Sequence, residues 1–404
     1  MIHAGVCSHI RRFRFRKHSF LVVCALGTAY LALNLIHDSL PRRPAINSTA
    51  AAPATRARPA CPPPPPPLRP AKLPHRFPGL TCAPRHRVGF LKTHRSGSSA
   101  VQNVLFRLAA HHQLVPLLPA AGSQLLGRRP FRASDRCAAA GHQFGCHIIN
   151  VALRWDHDQV QQVMPNDTVY ISIVREPLRQ FLSMFRHLEL DRFVSLEEFA
   201  AQRPIPSTRF GGMYGRNQQL WDFGLPEEHH DDDNKVREKV AEIERHFQLV
   251  LVAERMDESL VLLRHLLCWP TAYVVSMRLN ALMAPIELPV DSPARSALQR
   301  WLRADRLLYR HFAGRLEQRV RQFGEDRMRQ EVAALREETR RVVAECRIVR
   351  SPPAELQEWN RWPGHRVYGF SARNGSRLCQ MYVAAEHTWV QVMRELVEAL
   401  KAIR

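Results

Sequence analysis

Apolar positions fall into distinct patterns along the chain. Ser19 to Ile36 (SFLVVCALGTAYLALNLI) is an uncharged apolar run of 18 residues, long enough for one membrane-crossing helix. Val88 to Leu91 is a short continuous apolar run and Thr168 to Val174 a β-branched one, and both read as buried strands. Ala100 to Ala110, Lys235 to Phe247 and the segment from Asp257 to about Trp269 carry apolar residues at helical spacing. Ser292 to Phe323 and Glu325 to Cys346 read as two long, Arg-rich helices with apolar stripes. Strands that alternate with helices predict an α/β fold: a mostly parallel sheet flanked by helices, with a ligand at the strand ends and a helical C-terminal part closing the site.

These patterns divide the chain. Arg11, Arg12, Arg14, Arg16 and Lys17 precede the apolar run, so residues 1–18 are expected in the cytosol and residues 19–36 as a signal-anchor. No A-x-A cleavage site follows closely, which argues against a removed signal peptide. Residues 37–87 turn to Pro, Ala and Arg, with six consecutive prolines at Pro62 to Pro67. Such a segment favours extended polyproline conformation and reads as a stem. Residues 88–404 are long enough to bury one large core. The sequons at Asn47, Asn166 and Asn374 all lie on the far side of the anchor.

Composition adds two constraints. The formal charge of +21 makes nucleic acid the usual first thought, but behind a membrane anchor a basic surface suits a polyanionic nucleotide or anionic glycans instead. No C-x-x-C pair or Cys/His metal spacing occurs, so no metal is expected, and His229 to Asp233 reads as a solvated acidic loop. Cys61, Cys82, Cys137, Cys146, Cys268, Cys346 and Cys379 follow the anchor; seven is odd, so at least one lacks an intrachain disulfide partner.

The chemistry concentrates in two segments. Lys92 to Ser99 lie between a strand and a helix, where Gly97 lets the chain turn and helix amides face outward. The cations Lys92 and Arg95, the imidazole of His94 and the hydroxyls of Thr93, Ser96, Ser98 and Ser99 make this turn an anion loop. It lacks the G-x-x-x-x-G-K-[ST] pattern of a P-loop kinase. In the second segment Arg175 ends a strand, Pro177 suits the first turn of a helix, and Ser183 falls about two turns in. Arg175 and Ser183 can therefore converge on one phosphate. Two anion sites on neighbouring strand ends suit a nucleotide bearing phosphates at its 3′ and 5′ positions.

The runs LKTHRSGSSAVQNVLF, VMPNDTVYISIVREP, RNQQLWDFGLP and LVLVAERMDESLVLLRHLLCW resemble the galactose 3-O-sulfotransferase family of Golgi carbohydrate sulfotransferases, from about Val88 to about Gly324. The resemblance implies 3′-phosphoadenosine 5′-phosphosulfate (PAPS) as donor, its 5′-phosphosulfate on Lys92 to Ser99 and its 3′-phosphate on Arg175 and Ser183. It implies a galactose-terminated glycolipid or glycoprotein acceptor, no nucleic acid and no metal. With the anchor and stem it implies a type II protein of the Golgi membrane with a lumenal catalytic domain. Much of the family carries Lys at the position of Arg95, which is expected to steady the sulfuryl oxygens. Asn217 and Asp222 would either line the acceptor cleft or make buried hydrogen bonds.

One departure concerns the base. Relatives carry a His where this chain has Ala152, and that His looks like their general base. His142 and His147 lie upstream and His157 downstream. His147 is the candidate replacement, although in a regular strand it would face away from the side of Ala152, so a bulge is required. The other reading is a sulfotransferase-like chain that binds nucleotide or glycan without efficient transfer.

Overall fold

The computed structural model describes residues 82–119, 122, 125, 129–138, 146–202 and 215–402. The chain divides into two units, Met1–Arg58 and Pro59–Arg404, and all described residues belong to the second. The expected anchor at 19–36 and most of the stem lie outside the described residues. Among the described residues, no helix is long and apolar enough to cross a membrane.

In chain order the elements are β1 (Val88–Leu91), α1 (Ser98–His112), β2 (Ile148–Ile149), α2 (His157–Gln161), β3 (Val169–Val174), α3 (Pro177–His187), α4 (Leu196–Gln202), α5 (Gln218–Asp222) and α6 (Asp233–His246). They continue with β4 (Leu249–Val252), α7 (Met256–Leu267), β5 (Ala281–Leu282), α8 (Pro293–Trp301), α9 (Arg303–Phe323), α10 (Glu325–Cys346), β6 (Ile348–Ser351), β7 (Val367–Ala372), α11 (Arg377–Val383) and α12 (Glu386–Ala402).

Strands β2, β1, β3 and β4 form a parallel sheet in that order. Every residue of β1, β3 and β4 is buried, as expected of strands covered by helices on both faces. From β1 the chain moves outward to β2, then crosses to the other side of β1 to make β3. The strand order therefore reverses at β1 and β3, the place where open α/β sheets bind ligands at their carboxyl ends. Leu91 pairs with Ser172, so Lys92 and Arg175 leave neighbouring strands on one edge.

Two features depart from the sequence expectation. A second sheet, antiparallel in the order β5-β7-β6, lies in the C-terminal part. The single helix expected over Ser292 to Phe323 is two, interrupted at Leu302. The break has a visible cause. The Asp305 amide donates to Asn217 Oδ1 at 3.0 Å, and the Trp301 carbonyl accepts Arg216 Nε at 2.9 Å. Side chains of the segment before α5 thus take backbone groups that a continuous helix would pair internally.

Disulfides join Cys82 to Cys268 and Cys346 to Cys379. The first ties the entry of the chain to the end of α7, where Trp269 Nε1 also donates to the Arg85 carbonyl at 2.8 Å. The acidic run at 229–233 behaves as a helix start: Asp232 caps α6 by accepting from the amides of Asn234 and Lys235.

Candidate active site

The loop after β1 is built from its own hydroxyls. Thr93 Oγ1 lies 2.7 Å from Ser96 Oγ and donates to the Ile173 carbonyl at 2.6 Å, while Ser96 and Ser98 both donate to the Thr93 carbonyl. Thr93 and Ser96 are fully buried, so they shape the loop. Gly97 then takes φ 82° as the N-cap of α1, and no side chain caps the helix. Helix amides there can face an anion, with the helix dipole in favour.

Arg95 sits in the left-handed region at φ 57°, an arrangement that costs a side-chain-bearing residue on the order of 1–3 kcal/mol. Four outside contacts hold it there. Arg175 Nη1 donates to the Arg95 carbonyl at 2.9 Å, and Gln180 Nε2 donates to the His94 carbonyl at 3.0 Å. Asp222 accepts from the His94 amide at 2.8 Å and meets His94 Nδ1 at 2.9 Å. The Arg95 side chain runs to α3, where Nε donates to Ser183 Oγ at 3.2 Å, and Nη1 reaches Asn280 Oδ1 at 3.3 Å.

Arg175 is fixed through α5 as well. Its amide donates to Gln219 Oε1 at 2.8 Å, and Gln219 Nε2 returns a bond to its carbonyl at 2.9 Å. Burial, with Glu254 opposing, lowers the pKa of its guanidinium, which forms no ion pair among the described residues. A partly buried cation held without a carboxylate is poised to gain from an incoming anion. Gln219 is in turn anchored by Asp305, which accepts from the amides of Gln219 and Leu220 and whose pKa burial pushes up to about 7.

These groups line one cleft of about 1660 Å³. Lys92 to Ser99, Arg175 and Ser183 all line it, together with Arg179, His187, Arg278, Asn280, Tyr309, Trp362 and Glu386. Asn217 and Asp222 do not; both are buried, Asp222 bonding His94 of the loop and Asn217 accepting from the Asp305 amide. No group of His, Cys, Asp and Glu among the described residues could hold a metal ion.

The family model for galactose-3-O-sulfotransferase matches residues 6–352. The chain belongs to the galactose-3-O-sulfotransferase family. Galactose-3-O-sulfotransferase 2 of Sus scrofa is 38% identical over 328 residues, covering 75% of this chain and 82% of that protein. The Homo sapiens protein of the same name is 36% identical over 272 residues, 65% of this chain and 68% of its own length. Galactosylceramide sulfotransferase of Bos taurus is 30% identical over 393 residues, 91% and 90% of the two chains. A sulfotransferase of this family needs a sulfate donor, and the cations Lys92, Arg95 and Arg175 all line this one cleft.

The structure separates the two candidate positions for the base. Ala152 lines the cleft. His147 lies outside it, buried, with Nδ1 accepting from the Val115 amide at 3.1 Å. His157 is also outside, stacked on His246 with ring centroids 3.8 Å apart. The sequence reading missed Gln219 and Asp305, which hold Arg175, and Glu386, which pairs with Lys92 at 2.8 Å. The RNQQLWDFG run did signal the first of these, because polar residues inside an apolar stretch are buried only when hydrogen-bonded.

Proposed function

We propose that this chain transfers the sulfuryl group of PAPS to O-3 of a terminal galactose on a glycolipid or glycoprotein glycan. It would do so from the Golgi membrane, anchored by residues 19–36, with residues 88–404 in the lumen. The observation that carries the reading is the meeting of Arg95 with Arg175 and Ser183, 80 and 88 residues further along the chain, at the reversal point of the parallel sheet. Family membership and the names of the relatives support the galactose acceptor.

PAPS supplies an activated sulfuryl group whose leaving group is a stable bisphosphate. In this reading the protein contributes position and charge. Arg175 and Ser183 bind the 3′-phosphate, the outward amides at the start of α1 receive the 5′-phosphate, and Lys92 and Arg95 neutralise charge that grows as the bond to sulfur breaks. Ser183 is shared, since it also accepts from Arg95 Nε, so occupation of the 3′ end bears directly on the Arg95 side chain.

The full-length chain in detergent, given radiolabelled donor and a panel of terminal galactosides, is expected to label acceptors with a free 3-hydroxyl. It should leave the 3-O-methyl galactoside unlabelled. Label on the 3-O-methyl compound would refute O-3 as the site, and nucleotide binding with no product would favour a binding protein.

A further inference from the structure

We propose that Glu386 is the base that takes the proton of the acceptor hydroxyl, an inference that rests on the sulfotransferase reading above. Glu386 opens α12, 294 positions from Lys92 and beyond residue 352, where the family model ends. One carboxylate oxygen accepts from Lys92 Nζ at 2.8 Å and the other from Gln102 Nε2 at 2.8 Å. The same amide nitrogen donates to the Asn150 carbonyl at 2.8 Å, two residues before Ala152. The carboxylate is thus fixed by the loop lysine and by α1, it is 92% buried, and it lines the cleft beside Lys92 and Ala152. Ala152 itself offers only a methyl group there.

Three other carboxylates and one imidazole of the cleft are engaged elsewhere. Glu176 caps α3 by accepting from the Arg179 amide, and Glu254 accepts from the Glu176 amide and from Tyr309. Asp257 accepts from Arg336 at the surface, and the His94 ring meets Asp222. His187 lies one helical turn beyond Ser183; burial first, then the charge of Arg95, pushes its pKa down to about 4. Around Glu386 itself, Lys92 is the cation that faces it. His387 bonds the Glu358 carbonyl, and Arg107 on α1 is spent on Asn103, Tyr273 and Val275.

The step balances without a further reagent. A lone pair of the acceptor oxygen forms the O–S bond, the O–H bond breaks, and its proton passes to a Glu386 oxygen. The S–O bond to the donor phosphate breaks, and that electron pair leaves with adenosine 3′,5′-bisphosphate. Protonation discharges Glu386 and frees Lys92 Nζ to face the charge arriving on the leaving phosphate, so proton acceptance and leaving-group neutralisation are coupled through one ion pair. The proton then passes to water. The hydroxyl becomes acidic as the O–S bond forms, and that is when the carboxylate takes its proton.

The test compares the full-length parent, Glu386→Gln and the double variant Glu386→Gln/Ala152→His for sulfate transfer, adenosine 3′,5′-bisphosphate affinity and the pH dependence of kcat. Glu386→Gln is expected to lose turnover on the order of 10²- to 10⁴-fold with nucleotide affinity unchanged, and to lose the acidic limb of the parent profile. The double variant should regain activity with an acidic limb moved up toward the ordinary imidazole range, near 6.5. Parent-like turnover in Glu386→Gln overturns the inference. So does an equal fall in turnover and nucleotide affinity with an unchanged pH profile, which would make Glu386 a positioning residue for Lys92. A parent that transfers no sulfate removes the functional reading and this inference together.

Discussion

Arg95 Nε donates to Ser183 Oγ at 3.2 Å, which joins the anion loop after β1 to the helix after β3 inside the cleft. Residues in direct contact are energetically coupled, and a double-mutant cycle measures the coupling. Arg95→Ala and Ser183→Ala should each weaken donor binding, and the double variant should lose less than the sum, with a coupling on the order of 0.5–3 kcal/mol. Additive losses in nucleotide titrations would mean that the two residues act on the donor independently.

Asp222 touches no cleft surface yet holds the loop twice, at the amide and the ring of His94. Asp222→Ala leaves a part-buried amide without its acceptor, which costs about 1 kcal/mol of stability. Because Arg95 follows His94 directly, donor affinity should fall about tenfold as the loop loosens, the equivalent of roughly 1.4 kcal/mol. A thermal midpoint that drops while nucleotide affinity stays at the parent value would limit Asp222 to a packing role.

Acid should destabilise the fold. Burial is the leading cause that pushes His86, His157 and His187 down to about 4 and His112 down to about 3. Unfolded histidine titrates near 6.5, so the unfolded chain binds more protons below that value, and the stability these groups give above pH 6.5 is lost as pH falls toward 4. Asp305, pushed up to about 7, has the opposite sign: its contribution is present at low pH and is lost as pH rises through 7. Four histidines outweigh one carboxyl in proton count. The thermal midpoint should therefore fall between pH 6.5 and 4.5, and a midpoint that rises over this range would contradict the assignment.

Local order was legible in the sequence where it depended on neighbours in the chain. The β-branched run before Arg175, Pro177 at the first turn of α3 and Gly97 before α1 each fix their own surroundings, and the structure follows them closely. The gathering of Lys92 to Ser99, Arg175 and Ser183 at one cleft was likewise readable, because two strand ends and their helices bring them there. What the sequence hid is carried by distant partners. Gln219 bonds both backbone groups of Arg175, Asp305 bonds Gln219, and Glu386 pairs with Lys92 from 294 positions away. Periodicity and spacing carry no record of such pairings. The break at Leu302 was hidden for the same reason, since Arg216 and Asn217 cause it from outside the helix.

The account depends above all on Arg175 receiving the 3′-phosphate of the donor. Calorimetric titration of adenosine 3′,5′-bisphosphate and of adenosine 5′-monophosphate into the parent and into Arg175→Ala tests this directly. Charge-assisted bonds of about 1.5–3 kcal/mol predict a loss on the order of 10- to 150-fold for the bisphosphate. The same substitution should cost the monophosphate less, because it has no 3′-phosphate to lose and feels only the release of the Arg95 carbonyl. Equal losses for both nucleotides, or bisphosphate affinity unchanged in Arg175→Ala, would contradict the placement of the donor in this cleft.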